Sequence, residues 1–462
     1  RSAWESIVKA AEKYNEPRKF TALIGYEWTS MPGGNNLHRN VIFRDGGDLA
    51  SRVLPFSAYD SQDPEKLWQW MQAYEDKTGG RLLAIPHNGN LSNGRMFPIV
   101  ESFGKKLDKE YVETRARWER LYEVTQTKGT GEAHPFLSPN DEFADFELWD
   151  KGNLDCSVPK TKEMLELEYA RSALKNGLKL EQRLGTNPHK FGMVGSSDAH
   201  TGLAAMEEEN FFGKTTPQEP GPERLGATFV KNPKNGITIM DWEVGASGYA
   251  AVWVAENTRE AIWDAMQRRE TYATTGTRMG VRFFGGWEFE AKDAHDRTPA
   301  TVGYTKGVPM GGDLKKAPAG KAPTFLVAAL KDPIGANLDR VQIVKGWLDG
   351  KGEVQERVYD VAWSGDRKPD AKTGKLPAVG STVNVAEATW TNTIGAPELI
   401  TVWKDPAFDP GQRAFYYARV IEIPTPRWTA YDAKRFGTKP LPGTRMTVTE
   451  RAYTAPIWYT PN

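Results

Sequence analysis

Apolar residues over roughly the first 284 positions alternate between two patterns. Short runs at Phe20–Tyr26, Leu82–Pro86, Leu121–Tyr122 and Phe191–Gly195 read as strands, and the longer stretches between them carry the 3.6-residue period of amphipathic helices. Ala3, Trp4, Ile7, Val8 and Ala11 predict a helix at the start of the chain. Asp63-Pro64 predicts a helix cap followed by a first-turn proline, with Leu67, Trp70, Met71 and Tyr74 as the apolar stripe behind it. Two further helices are expected over 164–184 and 258–269, the second with Ala261, Ile262 and Met266 on one face.

Alternating strands and helices predict an α/β fold around a parallel sheet or barrel, in which side chains just past the strand ends converge on one face. Each of the four runs stops at a potential metal ligand: Glu27, His87, Glu123, and the pair Asp198 and His200. From about Gly285 the pattern changes to strands separated by turn residues, at 325–330, 341–347, 358–363, 389–393, 399–403 and 415–423. Val341, Ile343 and Trp347 alternate as if one face were buried. The expected organisation is therefore an α/β barrel domain over 1–284 and a β-rich, sandwich-like domain over 285–462, whose last strand is a candidate to return to the barrel. The stretch Gly312 to Pro323 is the expected loop.

A length of 462 residues exceeds what one core serves. Lys+Arg and Asp+Glu both number 60, and this balance argues against a general nucleic-acid binder or a polybasic membrane-surface protein. The longest apolar stretches, such as 250–255, are far too short to span a bilayer, so no membrane partner is expected. The single cysteine, Cys156, excludes a disulfide framework and a cysteine-based zinc cluster, and reads as structural. Low cysteine usage suits cytoplasm and periplasm equally.

Six histidines are present, and His38, His87 and His200 sit near turns or strand ends together with Glu27, Glu123 and Asp198. Imidazole nitrogen and carboxylate oxygen together suit zinc, manganese or iron, and such ions activate water for hydrolysis. Arg39 and Lys128 could contact an anionic small-molecule substrate, or could be solvated surface charges. His134, His189 and His295 need no catalytic role. The 16 tryptophans, including Trp68, Trp70, Trp347 and Trp403, fall mostly at core-compatible spacing.

Gly25-Tyr26-Glu27, Ile85-Pro86-His87-Asn88, Tyr122-Glu123-Val124 and Gly195-Ser196-Ser197-Asp198-Ala199-His200, in that order, resemble the later motifs of the PHP (polymerase and histidinol phosphatase) superfamily. Longer stretches resemble the PHP-like bacterial family DUF3604: Phe20 through Trp28, Asn36 to Phe43, Asn210 to Lys214, Arg269 to Gly276 and Glu450 to Tyr453. The resemblance covers essentially the whole chain. It implies a distorted (β/α)7 barrel with two or three divalent metal ions at the strand ends, Glu27 as the bridging carboxylate, His87 as an imidazole ligand, and Asp198 and His200 as the closing pair. Glu123 matches a position that is a ligand in some relatives and only lines the site in others. His38 lies in a segment shared within the DUF3604-like family, and with Asp198 and His200 it is a candidate catalytic residue.

The His-x-His and Asp-His motifs that PHP proteins carry on their first strands do not occur in this sequence. Because the chain opens on Arg1 inside a helical pattern, those motifs are expected upstream of it. The reading that follows is a metal-dependent hydrolase, most simply of phosphoesters, located by resemblance in the periplasm or outside the cell. Two alternatives stand beside it. One is a metal-independent glycosidase using Glu27 with Glu123 or Asp198 as its acid and base; the other is a non-catalytic protein that binds carbohydrate or a partner.

Overall fold

The structure, a computed structural model, describes residues 2–246 and 248–461. It is a mixed α/β protein that divides into two compact units interleaved along the chain. The first takes residues 1–124, 131–192 and 252–271, and the second takes 125–130, 193–251 and 272–462. The change of pattern at residue 285 marks where strands take over, while the units exchange chain earlier.

In the first unit the opening helix, Ser2–Tyr14, buries Trp4 and Val8 and leaves Ile7 in solvent. Asp63 caps the helix Pro64–Thr78 by accepting the Glu65 N–H at 2.9 Å, and Gly79 ends it in the left-handed conformation at φ 73°. Its buried stripe is Leu67, Trp68, Met71 and Tyr74. Trp70 is only partly buried, with its ring edge-on to Tyr26 and stacked with Phe56. The helix expected over 164–184 breaks into Lys162–Leu165 and Ala170–Leu184. Between them Glu168 turns inward, where its carboxylate takes the Lys160 ammonium at 2.7 Å and the Gly94 N–H at 3.0 Å. Thr258 caps Arg259–Arg268 as its sequence suggests.

Three strands, Gly25–Trp28, Arg39–Phe43 and Leu82–Pro86, form a sheet in that order, with the middle strand antiparallel to both neighbours. A wholly parallel arrangement was the expectation here. The ten residues between Trp28 and Arg39 hold only a 3-10 turn, too little chain for a parallel crossover. The register pairs Trp28 with Arg39 and Arg39 with Pro86. Arg39 itself turns into the core, 1% exposed. Its guanidinium meets the Glu119 carboxylate at 3.0 Å, where Arg115 also arrives at 3.0 Å and the Trp68 indole N–H donates at 3.1 Å. One buried carboxylate thus joins the central strand to the helices Pro64–Thr78 and Lys109–Trp118.

The second unit is dominated by an eight-stranded sheet and a four-stranded one. They face each other through aromatic pairs: Phe325 meets Tyr416 with ring centroids 4.5 Å apart, and Trp403 meets Tyr359 at 4.9 Å. The strand Leu338–Leu348 lies between Val354–Trp363 and Ala414–Glu422 and is buried on nearly every residue, so the one-sided alternation read from Val341, Ile343 and Trp347 does not hold. Its polar residues are accommodated by partners, as where Lys345 meets Asp405 at 2.6 Å. Residues 389–393 form no strand, only a bridge between Asn384 and Thr389. The expected loop 312–323 contains the short strand Asp313–Lys315, which pairs with the last strand, Ile457–Thr460. The preceding strand, Arg451–Thr454, pairs with Tyr272–Thr274. Among the described residues no helix is long and apolar enough to cross a membrane.

Removing the Glu119 charge leaves two buried guanidinium groups without their counter-ion, which costs about 3–5 kcal/mol in buried pairs. Glu119→Gln is accordingly expected to lower the denaturant midpoint of the first unit by a loss of that order. A change below about 1 kcal/mol, the range of surface pairs, would contradict the node.

Candidate functional site

Antiparallel pairing sets the beginning of the middle strand beside the ends of both outer strands. His38 immediately precedes Arg39–Phe43, His87 immediately follows Leu82–Pro86, and Glu27 is the penultimate residue of Gly25–Trp28. All three therefore meet at one end of the sheet. The His87 N–H approaches the His38 carbonyl at 3.4 Å, continuing the ladder by one step. Asn36 fastens the approach from below, donating to the His87 carbonyl at 2.7 Å and the Asn88 carbonyl at 3.2 Å.

Glu27 Oε1 lies 2.8 Å from His38 Nδ1 and 2.9 Å from His87 Nε2. The two imidazole rings stand edge to face, with centroids 5.6 Å apart. One ligand atom from each residue falls within 4.8 Å of the others, the only such group among the described residues. Glu27 is partly exposed, His38 half-buried and His87 buried, so the donor set opens on the Glu27 side. Burial pushes the Glu27 carboxyl upward, but the hydrogen bonds and charges of His38 and His87 outweigh it and hold the group well below the usual carboxylate range. One anionic oxygen and two imidazole nitrogens at this spacing fit a divalent ion of borderline softness.

Glu123 belongs to the same unit but not to this group; it is buried within the strand Leu121–Gln126. Arg39 is neither a solvated charge nor displayed to a ligand, because Glu119 and the Leu37 carbonyl, at 2.5 Å, hold its guanidinium. His134 meets Asp150 at 3.1 Å, His189 is buried against the Ala173 carbonyl at 2.8 Å, and His295 is exposed. Burial, with the Arg115 charge, pushes the His189 imidazole well below its ordinary value, in keeping with a core residue.

Asp198, His200 and Lys128 come together in the second unit. Asp198 follows the strand Gly192–Gly195 in the left-handed conformation, φ 49°. Its carboxylate is ion-paired with Lys128 and, at 2.6 Å, with Lys214, and it accepts from Gln126 at 2.8 Å. Lys128 stands in the turn of a hairpin whose rungs are Thr125 with Thr130 and Gln126 with Gly129. His200 Nε2 is 3.2 Å from Asp198 Oδ1 and 2.9 Å from Lys214 Nζ. That nitrogen can donate to the carboxylate or accept from the ammonium, one at a time. Burial pushes Asp198 up, and the two lysine charges and their hydrogen bonds reverse this, holding it well below the usual range. Burial and the Lys128 charge lower Lys214 from the ordinary 10.5 to about 8, with Asp198 opposing.

Lys214 and Gln126 were not singled out by sequence reasoning. The stretch Asn210 to Lys214 carries a family-like signal, but nothing in it distinguishes the lysine from a surface charge. The protein-family model described as "Protein of unknown function (DUF3604)" matches residues 1–461. No curated protein matches the chain.

The Lys214 ammonium is expected to titrate near pH 8, which heteronuclear NMR of lysine-labelled protein reads at Cε, with Lys214→Arg supplying the assignment. Asp198→Asn removes the opposing carboxylate and should move the midpoint lower still. A midpoint at the ordinary lysine value would contradict the buried cluster.

Proposed function

The chain belongs to the DUF3604 family, and from that premise and the chemistry of its two clusters we propose that it is a metal-dependent hydrolase acting on phosphoesters. The observation that carries the proposal is the convergence of Glu27, His38 and His87 on one point at ligand spacing. In this reading residues 1–284 belong to a distorted PHP-like (β/α)7 barrel, the antiparallel strand Arg39–Phe43 being a departure from its parallel sheet, and the protein works in the periplasm or outside the cell.

Glu27, His38 and His87 would hold one divalent ion, zinc, manganese or iron, which when bound supplies Lewis acidity and a water of lowered pKa. The residues prepare for this without it. The depressed Glu27 carboxyl is anionic throughout the neutral range, so no proton has to be displaced from it. The sheet register fixes the two imidazoles, and the Asn36 hydrogen bonds hold the loop that carries His38 against the one that carries His87. His38 is in this account a ligand rather than a general base.

The anionic, phosphoester class rests on the resemblance to the PHP superfamily; within the second unit two ammonium groups, Lys128 and Lys214, surround one carboxylate, Asp198. With both lysines on it, Asp198 is better suited to organising those cations than to ligating a further ion, and the proposal is limited to the one ion of the triad. A metal-independent glycosidase is less well supported: Glu27 is paired with two imidazoles that hold it well below the usual carboxylate range, the opposite of what a general acid needs, and Glu123 is buried within a strand.

Protein purified without added metal is expected to retain about one transition-metal ion per chain by mass spectrometry, and His87→Ala or Glu27→Gln to lose it with the circular dichroism spectrum intact. Hydrolysis of p-nitrophenyl phosphate or bis-p-nitrophenyl phosphate should be abolished by chelator and restored by one of the three metals. Full metal occupancy in both variants, or chelator-insensitive hydrolysis, would overturn the proposal.

A further inference from the structure

After His87 the chain of the first unit makes a tight excursion before it reaches Phe97. Asn88 and Asn93 take left-handed backbone conformations, at φ 50° and 47°, on either side of the 3-10 turn Gly89–Leu91, and Gly94 follows at φ 79°. Two non-glycine residues in that region store strain, so the loop keeps its shape through the bonds that hold it. On the ligand side they come from Asn36. Its side chain donates to the His87 and Asn88 carbonyls, and its N–H donates to the Leu91 carbonyl at 3.0 Å. Asn36 stands two residues before His38, so a shift of the loop is felt at both imidazoles.

On its other side the loop is held by the segment 149–168. Asn90 donates to the Trp149 carbonyl at 3.2 Å, Asn93 to the Val158 carbonyl at 3.1 Å, and the Phe97 N–H to the Leu167 carbonyl at 3.0 Å. Gly89 comes so close that a Cβ there would lie 2.5 Å from the Glu168 carbonyl oxygen. In the middle of this contact is an ion pair with no solvent around it. The Glu168 side chain is 0% exposed and takes the Lys160 ammonium on its two oxygens at 2.7 and 2.8 Å, and Oε1 also accepts the Gly94 N–H at 3.0 Å. Lys160 donates further to Asn93 Oδ1 at 3.0 Å.

Each of these partners of Glu168 is a donor. A carboxylate accepts them all, whereas a carboxylic acid carries a proton that finds no acceptor among them, so one of the bonds has to open. Burial pushes Glu168 up to about 7, against the Lys160 charge and the donated hydrogen bonds, and lowers Lys160. Asp150, itself paired with His134, adds its charge on the Lys160 side. Tyr122 and Tyr169, which feel the Glu168 charge, are held protonated by burial. A carboxyl raised in this way is anionic above about pH 7 and protonated below it, so the contact is closed at pH 8 and opens toward pH 6.

We propose that Glu168 and Lys160 are positioning residues for the site of Glu27, His38 and His87, clamping the 88–97 loop so that both imidazoles are set for a divalent ion. The inference rests on the metal-binding reading above. Protonation of Glu168 opens the clamp, which makes metal affinity depend on pH beyond the protonation of the imidazoles themselves.

Hydrogen–deuterium exchange read by mass spectrometry, together with zinc affinity from competition with a chromophoric chelator, tests this on the full chain. In the metal-free wild type, peptides covering 88–97 should exchange faster at pH 6 than at pH 8 after correction for the intrinsic rate. In Glu168→Gln, whose amide brings further donors to the same place, they should exchange fast at both. Zinc affinity at pH 8 should fall roughly tenfold in Glu168→Gln, the order of one hydrogen bond to a charged group. Its change between pH 8 and pH 6 should be smaller than in the wild type, a difference that a merely structural role does not produce. Asn93→Gly keeps the left-handed backbone and removes the side-chain bonds to Val158 and Lys160. It should show faster exchange and weaker zinc binding at pH 8, and it decides the matter if Glu168→Gln does not accumulate. Wild-type exchange of 88–97 that ignores pH, zinc affinity unchanged in Asn93→Gly, or a wild-type pH profile in Glu168→Gln would overturn this proposal alone. A wild-type chain that binds neither zinc, manganese nor iron(II) at either pH would overturn the metal reading and this inference with it.

Discussion

The buried carboxylate of Glu119 is the constraint on which the ligand edge of the first unit depends. It is ion-paired with both Arg39 and Arg115 and accepts the Trp68 indole N–H, tying the central strand to two helices where water is excluded. Arg39 is the first residue of that strand, and His38 is the one before it. A strand pinned at its first residue cannot slip by one position without withdrawing its guanidinium from Glu119, and such a slip would also turn each of its side chains to the other face. The position of His38 opposite His87 therefore follows from an ion pair that never touches a ligand.

Antiparallel geometry explains why three residues distant in sequence form one donor set. Where strand beginnings and ends alternate along a sheet edge, a residue just before one strand and residues at the ends of its neighbours share that edge. The resulting group pairs an anion with two neutral-capable imidazoles. Glu27 is held anionic by the rings beside it, and they in turn are oriented by its oxygen.

Much of this was legible in the sequence, and the exceptions have physical causes. The cap at Asp63, the helix after Thr258 and the strand Leu82–Pro86 appear as their local signals predict, because capping and burial are decided within a few residues. Glu27 and His87 stood out as polar residues closing apolar runs, and His38 by its place in a family-like stretch. The break before Ala170 and the two-sided burial of Leu338–Leu348 were hidden, since both rest on distant partners: Lys160 and Gly94 for Glu168, and Asp405 for Lys345. The same limit applies to Arg39, whose charge suggested solvent or substrate until Glu119 was found beside it. The resemblance of their motif implies that Asp198 and His200 are ligands, and what the motif could not show is that Lys128 and Lys214 both reach the Asp198 carboxylate.

The central claim is that Glu27, His38 and His87 form one metal-binding unit. X-ray absorption at the edge of whichever of zinc, manganese or iron accompanies the protein tests it most directly, comparing the wild-type chain with His38→Ala. The account predicts a first shell of nitrogen and oxygen donors with the outer-shell scattering of two imidazoles, falling to one in the variant. A shell without imidazole scattering, or one identical in both proteins, would contradict it.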